Sequence, residues 1–249
     1  MQIQKMNAAR GWIWVKQGYQ LILRDPKFAI FTAILGAVLM RSILLIPVVG
    51  PLLALIAMPL LIIGYMRVCR ALEEDEPTKW AHLWAGFGKE AGRLASLGGL
   101  LIVGAIASSL LMLLIGGKAL GALLNSLSTV TDQQMLIKVV NAAGPGVSLG
   151  LLTGFALMFL LMMAFQYAPM LVYFNHQTPL AAMRAGLLGT LRNFIPYSVY
   201  TIIMQLLAVV LGMLPYGIGL IALLPLGLTS LYVSYRNIFP FKDELPLHG

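Results

Sequence analysis

Six long apolar runs, at about 27–46, 52–68, 94–115, 149–174, 195–214 and 218–235, dominate this sequence. Roughly 20 apolar residues in helical form span the hydrocarbon core of a bilayer. Within that core every backbone amide needs a partner inside the protein, which leaves only helices and closed barrels. A barrel would be built from short alternating segments, and these runs do not alternate. The expected fold class is all-α, a polytopic membrane protein with six transmembrane helices in three hairpins. Composition agrees: 59% of residues are hydrophobic, 10% are charged, and mean hydropathy is +0.87. Residues 1–249 read as a single integral membrane domain. No cleavable signal peptide is read, because the first apolar run begins only after Pro26 and follows a Trp-bearing segment.

Three segments of another kind precede the hairpins, at about 8–24, 78–92 and 178–193. In the third, Thr178 suits an N-cap and Pro179 the first helical position, where no N–H is needed. Leu180, Met183, Leu187, Leu191 and Phe194 then follow the 3–4 spacing of one apolar face. Trp12, Val15, Tyr19 and Leu23 share such a face in the first segment. Trp80, Leu83, Trp84, Phe87 and Ala91 share one in the second. Trp and Tyr favour the headgroup level, so each segment is expected to be an interfacial amphipathic helix on the cytosolic side. The chain from Gly116 to Ser148 reads as a looped or partly helical excursion, and the tail 237–249 as loose.

Charge sets the expected orientation. With six spans both termini share a side, and that side receives fourteen of the seventeen lysines and arginines. Arg41, Lys118 and Lys138 remain on the other. The positive-inside rule makes the richer side cytosolic. Topology and anionic lipid therefore account for the formal net charge of +8, and nucleic acid is not expected as a partner. The first and last hairpins also match. LIAMPL at 55–60 parallels LIALLPL at 220–226, and in both an arginine, Arg70 or Arg236, stands eleven residues beyond the proline. This predicts a parallel internal repeat with its axis along the membrane normal.

The segments QYAPMLVYF (166–174), TPLAAMRAGLLGTLRN (178–193) and YVSYRNIF (232–239) carry a family resemblance. They resemble a group of bacterial inner-membrane proteins, the YciC-like proteins and their proteobacterial relatives. These are similar in turn to the membrane domains attached to some glycerophosphodiester phosphodiesterases. The resemblance spans most of the chain. It implies six helices and a bacterial inner-membrane location, and it brings no catalytic residues with it. The phosphodiesterase domain, with its metal-binding carboxylates, has no counterpart here.

Arg24, Arg67, Arg70, Arg93, Arg192 and Arg236 fall where helices meet the inner surface, with Trp12, Trp80 and Trp84 in the same zone. Each basic residue near an anionic leaflet contributes about 1 kcal/mol. These nine are candidate contacts to anionic lipid headgroups, although topology and anchoring alone would also place them there. Arg41 is the one basic residue inside a span. It lies about nine residues from Gly50, roughly 13 Å at helical rise, a distance that arginine can partly snorkel. With Gln166 and Gln205 it forms the set of candidate substrate contacts, interhelical hydrogen bonding being the ordinary role of such amides. Pro59, Pro169 and Pro225 interrupt three spans, as kinks or as broken helices beside a transport site.

Other chemistry finds no support in the residues. The spans hold no acidic group, which counts against proton coupling. The run Glu73-Glu74-Asp75-Glu76 reads as a solvated loop. His82, His176 and His248 stand without HxxxH or CxxC company, so no metal and no cofactor is expected. Cys69, the lone cysteine, cannot form an intramolecular disulfide. There is no Walker motif, no GxGxxG after a strand and no GxSxG, and Ser108-Ser109 has no base in its span. The sequence thus reads as a non-enzymatic inner-membrane protein that organises or senses lipid, or scaffolds membrane-protein partners. A small-solute or lipid permease is the alternative.

Overall fold

The computed structural model describes residues 3–129, 144–214 and 218–240. Among them are nine α-helices, one 3₁₀ helix and no strand. In chain order these are α1 (Arg10–Arg24), α2 (Pro26–Leu44), α3 (Gly50–Glu73) and the 3₁₀ segment (Trp80–Phe87). Next come α4 (Ala91–Thr129), α5 (Pro145–Phe165), α6 (Ala168–Asn175), α7 (Pro179–Arg192), α8 (Phe194–Gly212) and α9 (Ile218–Ile238). Five stretches are long and apolar enough to cross a membrane: Pro26–Leu44, Gly50–Glu73, Ala91–Asn125, Pro145–Asn175 and Phe194–Gly212. The expected sixth, α9, has 21 residues and is not among the five found within the described residues.

Contacts divide the chain into two compact units, Leu100–Met163 and the remainder. In the smaller unit, absent side chains let the backbones approach, as is common between membrane helices. Gly150 faces the Met112 carbonyl and the Gly116 backbone, and Gly104 faces Leu161. Leu120, Leu123 and Val147 form its small core. α4 breaks at Gly117, whose φ of 58° suits glycine. Helix resumes to Thr129, so the expected excursion is largely helical at its start; residues 130–143 lie outside the described residues.

The larger unit is built around α3, which packs against α2, α6, α9 and the 3₁₀ segment. Ile63, Met66, Val68 and Cys69 are fully buried along it. α1 lies across three neighbouring helices. Gly11 rests on the α8 backbone at Pro196 and Tyr200, and Gly18 rests on Ser230 of α9. Arg24 then reaches the end of α3, donating to the Leu72 and Glu73 carbonyls at 2.6 and 3.0 Å. Seven residues rise roughly 10 Å, close to the 8–10 Å between packed helix axes. The spacing of the two glycines therefore steps α1 from one helix to the next.

The prolines part company. Pro59 and Pro225 stay inside continuous helices. Only Pro169 coincides with a break, between α5 and α6, as expected where a ring collides with the carbonyl four residues back. The tail starts later than the sequence suggested. α9 runs to Ile238, and Phe239 is buried against Tyr167 and Gly189. The turn 215–217 and residues 241–249 lie outside the described residues.

Candidate membrane-surface site

Each of the three surface segments has two unlike faces. α7 keeps its expected bounds but buries small residues, Ala182, Gly186, Gly189 and Thr190 together with Met183. Gly186 faces the Ala164 carbonyl, and Gly189 faces the Phe239 ring. Leu180, Leu191 and Phe194 from its apolar stripe point outward. Thr178 supplies no side-chain cap; its extended backbone and Pro179 start the helix. α1 similarly buries Gly11, Trp14, Gly18 and Leu21 and leaves Trp12, Tyr19 and Leu23 exposed.

The second segment departs from the helix expected over 78–92. It is a 3₁₀ turn that buries Leu83 and Gly86 and exposes Trp80, Trp84 and Phe87. Backbone packing explains the difference. Gly64 of α3 lies against the Leu83 carbonyl, and Gly86 lies against the Leu60 carbonyl. Three residues per turn stack positions 83 and 86 on one line, matching Leu60 and Gly64 one α-turn apart. Phe28 and Phe31 of α2 pack on the Trp80 ring with centroids at 5.0 and 5.3 Å.

The arginines are not a bare cationic belt. Each carboxylate of the run 73–76 takes one of them: Glu73–Arg236 at 2.9 Å, Glu74–Arg70 at 2.8 Å, Asp75–Arg24 at 2.9 Å and Glu76–Arg67 at 2.7 Å. Glu74, Asp75 and Glu76 are exposed, as a solvated loop would be, and the run is at the same time a charge-matched clasp over the end of α3. Arg93 pairs with Glu90, which His176 also approaches at 3.1 Å. Arg192 is exposed and forms no ion pair among the described residues. Arg70 also lies over the Phe174 ring at 5.6 Å, a cation–π contact. Beside the clasp a polar cavity of about 500 Å³ is lined by Arg10, Gln17, Gln20, Arg24, Glu73 and Arg236. Arg10, Gln17 and Arg24 recur every seven residues on one face of α1, a stripe the apolar pattern concealed.

The candidate substrate contacts are not brought together. Arg41 is exposed on α2 and lines a groove of about 350 Å³ with apolar neighbours such as Met40, Leu44, Met58 and Leu228. Gln166 and Gln205 are not part of that groove. Gln166 buries an Nε2 that meets no hydrogen-bond criterion among the described residues, and Gln205 is exposed on α8.

Several organising residues gave no sequence signal. Asn193 is fully buried and clamps the N-terminal segment. It accepts from Met6 N at 2.7 Å and donates to the Gln4 and Gly189 carbonyls at 2.9 and 3.0 Å. Tyr232 donates to Glu73 at 2.6 Å. The three segments that carry the family resemblance meet in space. Tyr167 bonds Ser234 at 3.0 Å, and Tyr235 donates to Asn175 at 2.5 Å, while Phe239 lies on Gly189. Their shared pattern is a packing junction.

The clasp should loosen in acid. The hydrogen bond and charge of Arg67 hold the Glu76 carboxyl below its usual range. Burial, and then the charge of Arg67, push the His82 imidazole below its usual range. In both cases the native state binds fewer protons than the unfolded chain, so stability rises with pH. The contribution is complete above the ordinary His and Glu values, about 6.5 and 4.3. It is lost as pH falls through the depressed folded values. Between about pH 7 and pH 2, a range that passes through both depressed values, amide protection at 76–82 is expected to fall before protection in α3. Equal protection across that interval would show that these two groups do not govern the loop.

Among known proteins, the chain is 26% identical to a protein of Burkholderia thailandensis described as a probable inner membrane protein; the match covers 98% of this chain and 96% of that one. No protein family and no solved structure matches. The five apolar helical stretches and this relative together make the chain a helical membrane protein.

Proposed function

We propose that the protein resides in a bacterial inner membrane and organises or senses lipid at the cytosolic surface without catalysing a reaction. In this reading α9 completes six spans, both termini are cytosolic, and the three surface segments lie in the headgroup zone. The supporting observation is the two-faced build of those segments. Glycines dock each one onto the protein, and Trp, Tyr, Phe and Leu side chains face outward. Exposed apolar side chains grouped on one face mark an interaction surface where scattered single ones do not, and aromatic ones are favoured at a membrane interface. Because the clasp engages most of the arginines internally, surface contact falls to Trp12, Trp80 and Trp84, helped by Arg192.

Tryptophan fluorescence tests this. Trp12, Trp80 and Trp84 are 56, 55 and 53% exposed, whereas Trp14 is 0% exposed. These four are all the tryptophans in the chain. Single-Trp variants, with the others changed to Phe, would be reconstituted with lipids brominated at graded depths. Positions 12, 80 and 84 are expected to be quenched most by the shallowest bromines, and Trp14 hardly at all. Absence of quenching at all three exposed positions would remove the reading.

A further inference from the structure

A groove of about 620 Å³ opens beside α1 in the larger unit. Its head is formed by Trp12, Lys16 and Tyr19, and its walls by Leu207 and Leu211 of α8 and Leu226 of α9. The three head residues lie at i−4, i and i+3, so they share one face of α1. Trp12 and Tyr19 are more than half exposed. Lys16 is exposed and forms no ion pair among the described residues, whereas the clasp arginines each hold a carboxylate. The other lining side chains are apolar. Leu207 and Leu211 stand roughly 20–25 Å along α8 from Phe194 at helical rise, far below a headgroup layer that contains α1. A cation with no ion pair among the described residues, set between two interface-seeking aromatics and heading an apolar channel of that reach, matches an anionic amphiphile.

We propose that this groove seats one acyl chain of an anionic glycerophospholipid, with its phosphate on Lys16 and its chain along α8 and α9. The inference rests on the surface placement of α1 proposed above. Native mass spectrometry of the detergent-purified full chain with added phosphatidylglycerol or phosphatidylcholine tests it. The wild type is expected to retain one phosphatidylglycerol in preference to phosphatidylcholine. Lys16→Ala should weaken phosphatidylglycerol about fivefold, the factor matching about 1 kcal/mol per basic residue near an anionic surface. Phosphatidylcholine should be unaffected, and Lys16→Arg should restore the preference. Leu207→Trp, which fills the channel, should reduce both lipids.

Lys16→Ala is an exposed change that leaves the core untouched, so it decides the matter even if the tryptophan variant does not fold. Equal phosphatidylglycerol retention by Lys16→Ala and wild type would overturn the proposal. So would a wild-type dimer that binds lipid only when dissociated, since a second copy would then occupy the groove. Quenching at Trp80 and Trp84 does not depend on Lys16. Quenching there with an unaltered Lys16→Ala therefore defeats the groove alone, and loss of quenching defeats the surface reading beneath it.

Discussion

Gly64→Leu is expected to lift the 3₁₀ segment off α3 and to lower the melting point of the fold markedly. A Cβ at this position would collide with the Leu83 carbonyl oxygen and stand 2.8 Å from its carbon. Both are backbone atoms, which cannot rotate away as a side chain can. The reciprocal contact of Gly86 with the Leu60 backbone prevents a shift in either direction. Overpacking a well-filled interior costs about 1–3 kcal/mol, and a clash with main chain belongs at the top of that range or above it. Against the roughly 5–15 kcal/mol that holds a native protein together, this is a large share. Thermal unfolding in detergent, followed by size-exclusion, measures it. Gly92→Leu is the control, since a Cβ at Gly92 meets nothing within 4 Å. A melting point shared by the two variants would mean that backbone contact does not hold the segment.

The second large effect is expected from Glu73→Ala. One oxygen, Oε2, accepts from Tyr232 at 2.6 Å and from Arg236 at 2.9 Å, and the Arg236 side chain is only 15% exposed. Breaking a fully buried pair costs about 3–5 kcal/mol. Glu73 is itself 36% exposed, so screening reduces this, and a loss of about 2 kcal/mol is expected. Glu74→Ala breaks the more exposed Arg70 pair at i,i+4 and should cost under about 1 kcal/mol. Denaturation curves for the two variants give the comparison. Equal losses would place Glu73 among ordinary surface carboxylates.

The legible parts of this fold were those with a local cause. Apolar runs marked the long helices, and the proline and leucine spacing of 178–193 marked α7 to within a residue. The outward stripes were legible only in part: Trp12, Tyr19, Trp80, Trp84 and Leu180 are exposed, whereas Val15, Leu83 and Met183 of the same expected faces are buried. The docking faces were hidden, since a glycine advertises nothing about the carbonyl that will rest on it. Gly64 and Gly86 turned an expected helix over 78–92 into a tighter 3₁₀ turn that no periodicity displays. The clasp was hidden by distance along the chain. Asp75 finds Arg24 across 51 residues and Glu73 finds Arg236 across 163, so a run of four acidic residues read alone looks like solvent-facing loop. Asn193 looked like the end of a helix, and its amide serves a segment 187 residues away. Pro169 differs from Pro59 and Pro225 only in what surrounds it.

The crossing of α1 over α8 and α9 also fixes an order of events during synthesis. Gly11 and Gly18 have no surface to rest on until Pro196, Tyr200 and Ser230 have been translated. For most of its time on the ribosome, α1 therefore waits with its glycine side uncovered. Arrival of the last two helices completes the structure, and a nascent chain halted before residue 230 would display that uncovered side to the proteases that police the membrane.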